Sequence, residues 1–178
     1  MRVLVAGATG VIGKQLLPLL GSAGHDTIAL MRPVGHLSVM ERAGIATAME
    51  RAGIKVVAAD ALDRDAVFLA VREAAPDAIV NMLTAIPAQI NPRRLAKDFE
   101  QTNRLRTIGT SNLIEAGAFA GAQQVISQGL AYAYDPHSSS LAGEDTPLWW
   151  QPPKQFAPVL AALKELEQRT RDAGGLVL

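Results

Sequence analysis

Three glycines stand at three-residue intervals near the start of the chain, in the segment GATGVIG at residues 7–13. The segment directly follows the aliphatic run RVLVA at 2–6 and precedes an amphipathic stretch, so it predicts a turn between a buried strand and a helix. Gly7 permits the tight turn, Gly10 lets a pyrophosphate approach the backbone, and Gly13 lets the helix pack closely on the strand. Because the N–H groups at a helix N-terminus bind phosphate, the pattern predicts a dinucleotide site.

The elements that must position this turn follow from the hydrophobic pattern. Short aliphatic runs predict six strands, at 2–6, 27–31, 55–59, 78–83, 123–127 and 176–178. Amphipathic, alanine-rich stretches predict five helices, at 11–23, 37–52, 63–75, 92–119 and 156–173. Continuously apolar strands are typical of a parallel sheet covered on both faces, and strand–helix alternation implies right-handed crossovers. We therefore predict one doubly wound α/β domain over 1–178, a Rossmann fold.

The composition excludes several classes of function. With 178 residues, of which 17 are basic and 17 acidic, the chain suits one domain and has no net charge to attract nucleic acid or an anionic membrane surface. The absence of cysteine excludes disulfides and thiolate zinc sites, and three scattered histidines predict no metal site. Apolar runs stay shorter than the ~18 residues of a membrane span, and strand-like residues from Arg2 leave no room for a signal peptide. We expect a cytoplasmic protein.

A long irregular stretch at 132–155 contains two adjacent tryptophans, Trp149 and Trp150. A loop of this length is usually functional or disordered. The indoles could form an ordered surface that contacts another molecule, or they could fold back on the helices of their own domain. We expect a homo-oligomer or a partner contact that involves both tryptophans.

The glycine spacing is G-x-x-G-x-x-G rather than G-x-G-x-x-G, and it resembles the short-chain dehydrogenase/reductase superfamily. The closest resemblance is to its extended and atypical branches, the NAD-dependent epimerase/dehydratases and their NmrA-like relatives. AADALD at 58–63, NMLTA at 81–85 and the long stretch from TNRLRTIGTSN to QQVISQ at 102–128 resemble further motifs of that superfamily. The resemblance implies a Rossmann fold and a nicotinamide dinucleotide cofactor.

The resemblance also implies roles for single residues. Asp60 would hydrogen-bond the adenine and Ala61 would line its pocket, while the end of the fourth strand would pass under the ribose and nicotinamide. The predicted cofactor-binding residues are Gly7, Thr9, Gly10, Val11, Ile12, Gly13, Arg32, Asp60, Ala61, Leu83, Thr84, Ala85 and Asn103.

The choice between NAD and NADP depends on the residue that follows the second strand. An acidic residue there would bind the ribose 2′-hydroxyl of NAD and repel a 2′-phosphate. This chain has Arg32, which could pair with a 2′-phosphate, lie over the adenine ring or remain a solvated surface side chain. We favour NADP over NAD.

The proton relay of the superfamily is missing from the sequence. Its redox members use a Tyr-x-x-x-Lys pair with a Ser or Thr, in which the lysine lowers the pKa of the tyrosine. The two tyrosines, Tyr132 and Tyr134, are not followed by a lysine at that spacing. Alignment of LAALKELEQ at 160–168 with the catalytic helix places Lys164 at the lysine position and Leu160 at the tyrosine position. Leucine cannot donate a proton, and Lys164 could be an ordinary solvated residue.

The remaining candidates for chemistry are Ser127, Tyr132 and Lys164, with Thr84 as a further proton donor. The leading interpretation is an NAD(P)-binding protein of the short-chain dehydrogenase/reductase type, acting as an epimerase, dehydratase or reductase on a small carbonyl or sugar-like substrate. Two alternatives stay open: a regulatory module that senses the dinucleotide without turning it over, and an interaction subunit. Extended relatives continue past the sixth strand into a substrate-binding lobe. We therefore expect this chain by itself to be poorly active.

Overall fold

The computed structural model describes residues 1–33, 38–136, 141–143 and 146–178. Six strands form one sheet in the order β3-β2-β1-β4-β5-β6, and every neighbouring pair is parallel. The strands are β1 Arg2–Ala6, β2 Asp26–Met31, β3 Lys55–Ala58, β4 Ala78–Asn81, β5 Gln124–Ser127 and β6 Leu176–Val177. The strand order reverses between β1 and β4, and in such sheets ligands bind at the carboxyl ends of the strands near this point. The predicted doubly wound fold is confirmed.

The connections between strands are helical. The helices are α1 Gly13–Ser22, α2 Val39–Arg51, α3 Arg64–Ala74, α4 Leu95–Asp98, α5 Glu100–Arg104, α6 Thr110–Ala120 and α7 Ala157–Asp172. Short 3-10 turns occupy Pro92–Arg94 and Ala131–Ala133. The helices after β1, β2, β3 and β5 lie within two residues of the predicted ranges, although residue 37, the predicted start of the second helix, lies outside the described residues. No described helix is long and apolar enough to cross a membrane.

The prediction of one continuous helix over 92–119 was wrong. The segment is divided into a 3-10 turn, α4, α5, a π-helical turn at Leu105–Gly109, and α6. Phe99 lies between α4 and α5 at φ −98°, and its ring is buried with Val159 and Leu163 of α7. Burial of this ring against another helix is a tertiary contact, which a local hydrophobic period does not encode.

Alternating strand residues divide the core into two layers. Leu4, Ile28 and Val57 face α3 and α6 in one cluster. Val3 and Ala29 belong to a second cluster on the other face, which α1 and α2 cover. This two-sided burial explains why the strand sequences are continuously apolar.

A third cluster holds the chain between β5 and α7. Ala133 and Phe156 pack with Leu160 inside it, and the Trp149 ring lies 6.0 Å from the Phe156 ring, centroid to centroid. The Trp149 backbone N–H donates to the Ala133 carbonyl at 2.9 Å. Trp150 is 81% exposed. Parts of the predicted loop, at 137–140 and 144–145, lie outside the described residues.

Candidate dinucleotide site

The turn after β1 needs glycine at its first position. Gly7 has φ +87°, and a Cβ atom there would lie 2.5 Å from the carbonyl oxygen of Met82. The left-handed backbone and the missing side chain therefore let the turn lie against the exit of β4. The Gly10 N–H donates to the Gly7 carbonyl at 2.9 Å and closes the turn.

The two later glycines differ in what surrounds them. A Cβ atom on Gly13 would overlap the Gly7 carbonyl oxygen and lie 2.9 Å from the Cα of Ala8, so this glycine lets α1 begin against the turn itself. A Cβ atom on Gly10 would meet only the Gly7 carbonyl oxygen, at 3.1 Å, and Gly10 is exposed. A ligand can therefore approach the backbone at Gly10.

The start of α1 offers hydrogen-bond donors to that open surface. Ile12, at the N-cap, makes no capping bond with its side chain, and the first turn of the helix has no acidic residue. Within the described part of the chain, the backbone N–H groups of Val11 and Ile12 have no acceptor. Thr9 is half-buried in the same turn. Uncapped donors above an exposed glycine fit the phosphates of a dinucleotide.

Residues predicted to surround the adenine lie between β3 and α6. Asn112, buried in α6, donates from Nδ2 to the Ala61 carbonyl at 2.9 Å. A Cβ atom on Gly109 would lie 3.6 Å from the Ala61 Cβ and 3.4 Å from Leu83 Cδ1, so these three residues enclose one apolar corner. Asp60 accepts from the Leu62 N–H at 3.0 Å through Oδ1, which shapes the turn, and its contact with adenine stays a prediction.

Side chains that the sequence analysis did not single out hold the loop after β4. Asn81 accepts from the Leu83 N–H at 3.2 Å, and the hydroxyl of Thr102 accepts from the Ala85 N–H at 3.0 Å. Thr84, between them, is exposed. The sequence feature that could have identified Asn81 is its position at the end of an aliphatic run. A buried asparagine is expected to have hydrogen-bond partners for its amide.

Arg32 follows β2 at the same edge of the sheet. Leu30 pairs with Ala6, so Arg32 and Gly7 leave neighbouring strands. The side chain of Arg32 is exposed, and residues 34–37 of the following loop lie outside the described residues. This position suits a contact with the ribose end of a dinucleotide, and the identity of that contact stays a prediction.

The predicted catalytic residues lie in different surroundings. Ser127 is fully buried, and its hydroxyl lies 2.8 Å from that of Thr170, which donates to the Leu166 carbonyl at 2.8 Å. Since Thr170 has one proton, Ser127 is the donor between them. Lys164 is exposed on α7, and the ring of Tyr132, 58% exposed, lies 6.4 Å from the Phe156 ring.

Asn103 in α5 and Arg106 in the π-helical turn that follows each have one buried polar atom without a partner. The Oδ1 atom of Asn103 and the Nη1 atom of Arg106 make no hydrogen bond within the described chain. Asn103 was among the predicted cofactor residues, whereas Arg106 was missed, because a charged residue in an amphipathic helix predicts a solvated surface. Burial lowers the pKa of the Arg106 guanidinium, and Tyr132 opposes this shift.

A model of the NAD dependent epimerase/dehydratase family matches residues 3–177, almost the whole chain. The chain belongs to this family. Membership confirms the resemblance that the glycine turn and the three later motifs indicated. The described residues contain no group of three or more histidine, cysteine, aspartate or glutamate side chains arranged to hold a metal ion.

Two curated relatives illustrate the range of chemistry in the family. The chain is 41% identical over 186 residues to a 3-diazoavenalumate denitrifying reductase from a Streptomyces species, covering 100% of this chain and 55% of the relative. It is 30% identical over 139 residues to the UDP-glucose 4-epimerase of Mycolicibacterium smegmatis, covering 76% of this chain and 42% of that enzyme. The chain spans about half the length of the curated relatives it matches.

Solved structures of epimerases share the fold. The UDP-glucose 4-epimerase of Thermus thermophilus, in complex with NAD, has a TM-score of 0.73 at 21% identity, covering 98% of this chain and 51% of that one. The UDP-glucuronic acid 4-epimerase of Bacillus cereus, in complex with UDP-glucuronic acid and NAD, also has a TM-score of 0.73, at 18% identity, covering 99% of this chain and 55% of that one. The chain therefore shares its fold with about half of each of these structures.

The sequence alignment assigns Leu160 to the tyrosine position of the superfamily motif, and this assignment stays a prediction. Leu160 is 3% exposed and packs with Phe99, Ala133 and Leu163. Its surroundings are those of a core leucine, so α7 presents no proton donor at this position.

Proposed function

We propose that this chain forms the dinucleotide-binding half of a nicotinamide-dependent reductase that replaces a diazo group of its substrate by hydrogen and releases N2. The observation that carries the proposal is the burial of Leu160 in an apolar cluster, at the position that the motif alignment assigns to the proton-donating tyrosine. The 41% identity over the whole chain to a diazo-reducing relative supports the same acceptor.

The reduction of a carbonyl group needs a hydride for the carbon and a proton for the oxygen. Leu160 supplies no proton, and the hydroxyl group of Ser127 is hydrogen-bonded to that of Thr170 inside the core. A diazonium carbon needs none: a hydride forms the new C–H bond, the C–N bond breaks, and N2 leaves with the electron pair of that bond. Two electrons pass from the reduced nicotinamide to the substrate, and no proton is gained or lost.

The glycine turn and the neighbouring loops supply the binding site for this reaction. The backbone at Gly10 and the N–H groups of Val11 and Ile12 would hold the pyrophosphate, and Ala61 would contact the adenine. Leu83, held through Asn81, would lie under the nicotinamide end. When bound, the reduced nicotinamide supplies the hydride.

We propose NADP rather than NAD as the cofactor. The support is the charge of Arg32, which leaves the edge of the sheet next to the glycine turn and suits a 2′-phosphate. The alternative, adenine stacking by the same guanidinium, would leave NAD and NADP equally well bound.

The test follows a deuterium label from cofactor to product. The full-length protein is mixed with a benzenediazonium salt and reduced cofactor deuterated at the transferring position, and the product benzene is analysed by mass spectrometry. We expect one deuterium and one N2 per cofactor oxidised, at a rate above that without protein and above that of a Gly10→Val variant. Enzymatic benzene without deuterium, or no gain over the protein-free reaction, would contradict the proposal.

A second experiment tests whether the missing proton donor at Leu160 excludes carbonyl substrates. UDP-glucose and simple ketones should not be turned over by the wild type, since Leu160 cannot donate a proton from the position that the motif alignment assigns to tyrosine. The variant Leu160→Tyr should not accelerate diazo reduction. Wild-type turnover of UDP-glucose or a ketone faster than that of the diazonium salt would show that a proton relay exists elsewhere, and dinucleotide binding with no hydride transfer to any acceptor would favour a sensing module.

A further inference from the structure

Arg106 is a buried charge without a counter-ion. The residue is 3% exposed, and its Nη1 atom makes no hydrogen bond within the described part of the chain. Across residues 1–33, 38–136, 141–143 and 146–178, no carboxylate forms an ion pair with it. An arginine keeps its charge at all working pH values, and a buried charge that lacks a partner is strongly unfavourable. The folded protein keeps the arginine although its burial is unfavourable. This indicates that a group outside the described residues pairs with the charge.

The position of Arg106 follows from its neighbours along the helix. Thr102, Arg106 and Thr110 recur at intervals of four residues and therefore lie on the same helical face. Thr102 accepts from the Ala85 N–H at 3.0 Å, and Thr110 accepts from Asn81 Nδ2 at 2.9 Å. Arg106 thus lies between two contacts that join this helical face to the carboxyl end of β4 and to its exit loop, at the ligand-binding edge of the sheet.

The backbone around Arg106 is unusual as well. Arg106 belongs to the π-helical turn at Leu105–Gly109, and such turns are frequent at functional sites. Tyr132, in the chain after β5, raises the pKa of the Arg106 guanidinium against the lowering by burial, and Tyr132 is more than half exposed. The bonds of Thr102 and Thr110 therefore place Arg106 near the carboxyl end of β4, the strand that pairs with β5.

We propose that Arg106 binds a carboxylate of the substrate and so positions the substrate at the carboxyl ends of β4 and β5. The proposal rests on the proposed function, because it assigns Arg106 to the substrate of that same site. A guanidinium presents a planar fork of donors that matches the two oxygens of a carboxylate. The diazo-reducing relative acts on a compound named as the anion of an acid, which agrees with this choice.

A cofactor phosphate offers the same chemistry as a carboxylate, and the experiment separates the two. Benzoate and the neutral benzamide are titrated into the full-length protein in the presence of NADP⁺. The wild type should bind benzoate at least tenfold more tightly than benzamide. Arg106→Met, of similar length and without charge, should lose that tenfold preference and bind benzamide and NADP⁺ like the wild type. Arg106→Lys, which keeps the charge but not the fork, should show an intermediate preference.

Thermal unfolding gives a readout that requires no turnover. Arg106→Met should raise the Tm of the ligand-free protein, since it removes an unpaired buried charge. Benzoate should raise the Tm of the wild type and leave that of Arg106→Met unchanged. If Arg106→Met does not fold, the comparison of benzoate with benzamide in the wild type and in Arg106→Lys still decides.

Three results would overturn the proposal. The first is equal binding of benzoate and benzamide by the wild type, which would mean that the rest of the protein already neutralises Arg106. The second is an Arg106→Met variant that binds NADP⁺ tenfold more weakly, which would assign the guanidinium to a cofactor phosphate. The third is an unchanged benzoate preference in Arg106→Met. Failure of the deuterium experiment with the benzoate preference intact would instead contradict the diazo reaction alone.

Discussion

Asn81, the last residue of β4, donates from Nδ2 to the hydroxyl of Thr110, the first residue of α6, at 2.9 Å, and both side chains are buried. The carbonyl oxygen of the same Asn81 amide accepts from the Leu83 N–H at 3.2 Å. One side chain therefore anchors a helix and turns the exit of a strand. Without it, the loop predicted to pass under the nicotinamide would keep only the bond from the Ala85 N–H to Thr102 of the two side-chain bonds described above.

Asn81→Leu should destabilise the protein. The leucine keeps the approximate shape of the side chain but leaves the Leu83 N–H and one bond of Thr110 unsatisfied in the interior. A buried group without its partner costs about 1–3 kcal/mol, and we expect the free energy of unfolding in urea to fall by that amount. Asn91→Leu is the matched control, since the side chain of the exposed Asn91 accepts from the Arg93 N–H at 3.0 Å at the start of an exposed 3-10 turn. Equal stability of Asn81→Leu and wild type would contradict the role of the amide.

Gly10→Val should weaken dinucleotide binding without unfolding the protein. A Cβ atom at this position has one close neighbour, the Gly7 carbonyl oxygen at 3.1 Å, so we expect the fold to accept valine with a small local shift, and the side chain would project into the space assigned to the pyrophosphate. We expect calorimetric titration to show a loss of at least ~1.4 kcal/mol, a factor of ten. Gly21→Ala in α1, where a Cβ atom has no neighbour within 4 Å, should bind normally. Unchanged affinity in folded Gly10→Val would remove the glycine turn from the binding site.

Arg32→Ala should reduce the affinity for NADP and leave that for NAD nearly unchanged. A charge-assisted contact with a 2′-phosphate is worth roughly 1.5–3 kcal/mol. Titration of both cofactors into both proteins measures the difference. Equal losses for the two cofactors would mean that Arg32 stacks on the adenine, and equal binding by the wild type would remove the preference for NADP.

Trp150 should carry an intermolecular contact, whereas Trp149 already packs on Phe156 in its own chain. We expect light scattering at micromolar concentration to give a mass above the 18.8 kDa of one chain, and Trp150→Ser to lower that mass. Trp149→Ser should mainly reduce stability, because it removes a ring from the third cluster. A monomeric wild type with solvent-quenched tryptophan fluorescence would refute the contact.

Asp77 should make stability depend on acid pH. Its carboxylate accepts from the Arg2 backbone N–H at 2.7 Å and from the Arg2 side chain at 3.2 Å, and these bonds, the backbone one first, hold its pKa below the ordinary 3.8. A pKa that is lower in the folded state stabilises the fold above the ordinary value, and this contribution is lost as the pH falls through the lowered one. Asp77→Asn should therefore lower the Tm at pH 7 and by less at pH 2–3. A Tm difference that does not vary with pH would contradict this linkage.

The sequence was most informative where local physics decides the structure. Aliphatic runs located all six strands to within two residues, and the glycine spacing located the turn at 7–13, because a left-handed backbone and a close approach leave few residue types possible. The division of 92–119 could not be foreseen, since Phe99 is placed by contacts with α7. Arg106 was missed for a similar reason: neither its burial nor its lack of a partner can be read from helical periodicity.

Because the start of α1 is uncapped, we expect a bound dinucleotide to stabilise the folded protein. Donors that no side chain satisfies leave the first turn of a helix prone to open, and an anion that binds them completes the helix. A dinucleotide present at a hundred times its Kd adds about 2.7 kcal/mol to the stability of the folded state. Proteases that degrade the opened chain would then find it far less often. The lifetime of each molecule, and hence the amount of the protein, should follow the size of the nicotinamide pool around it.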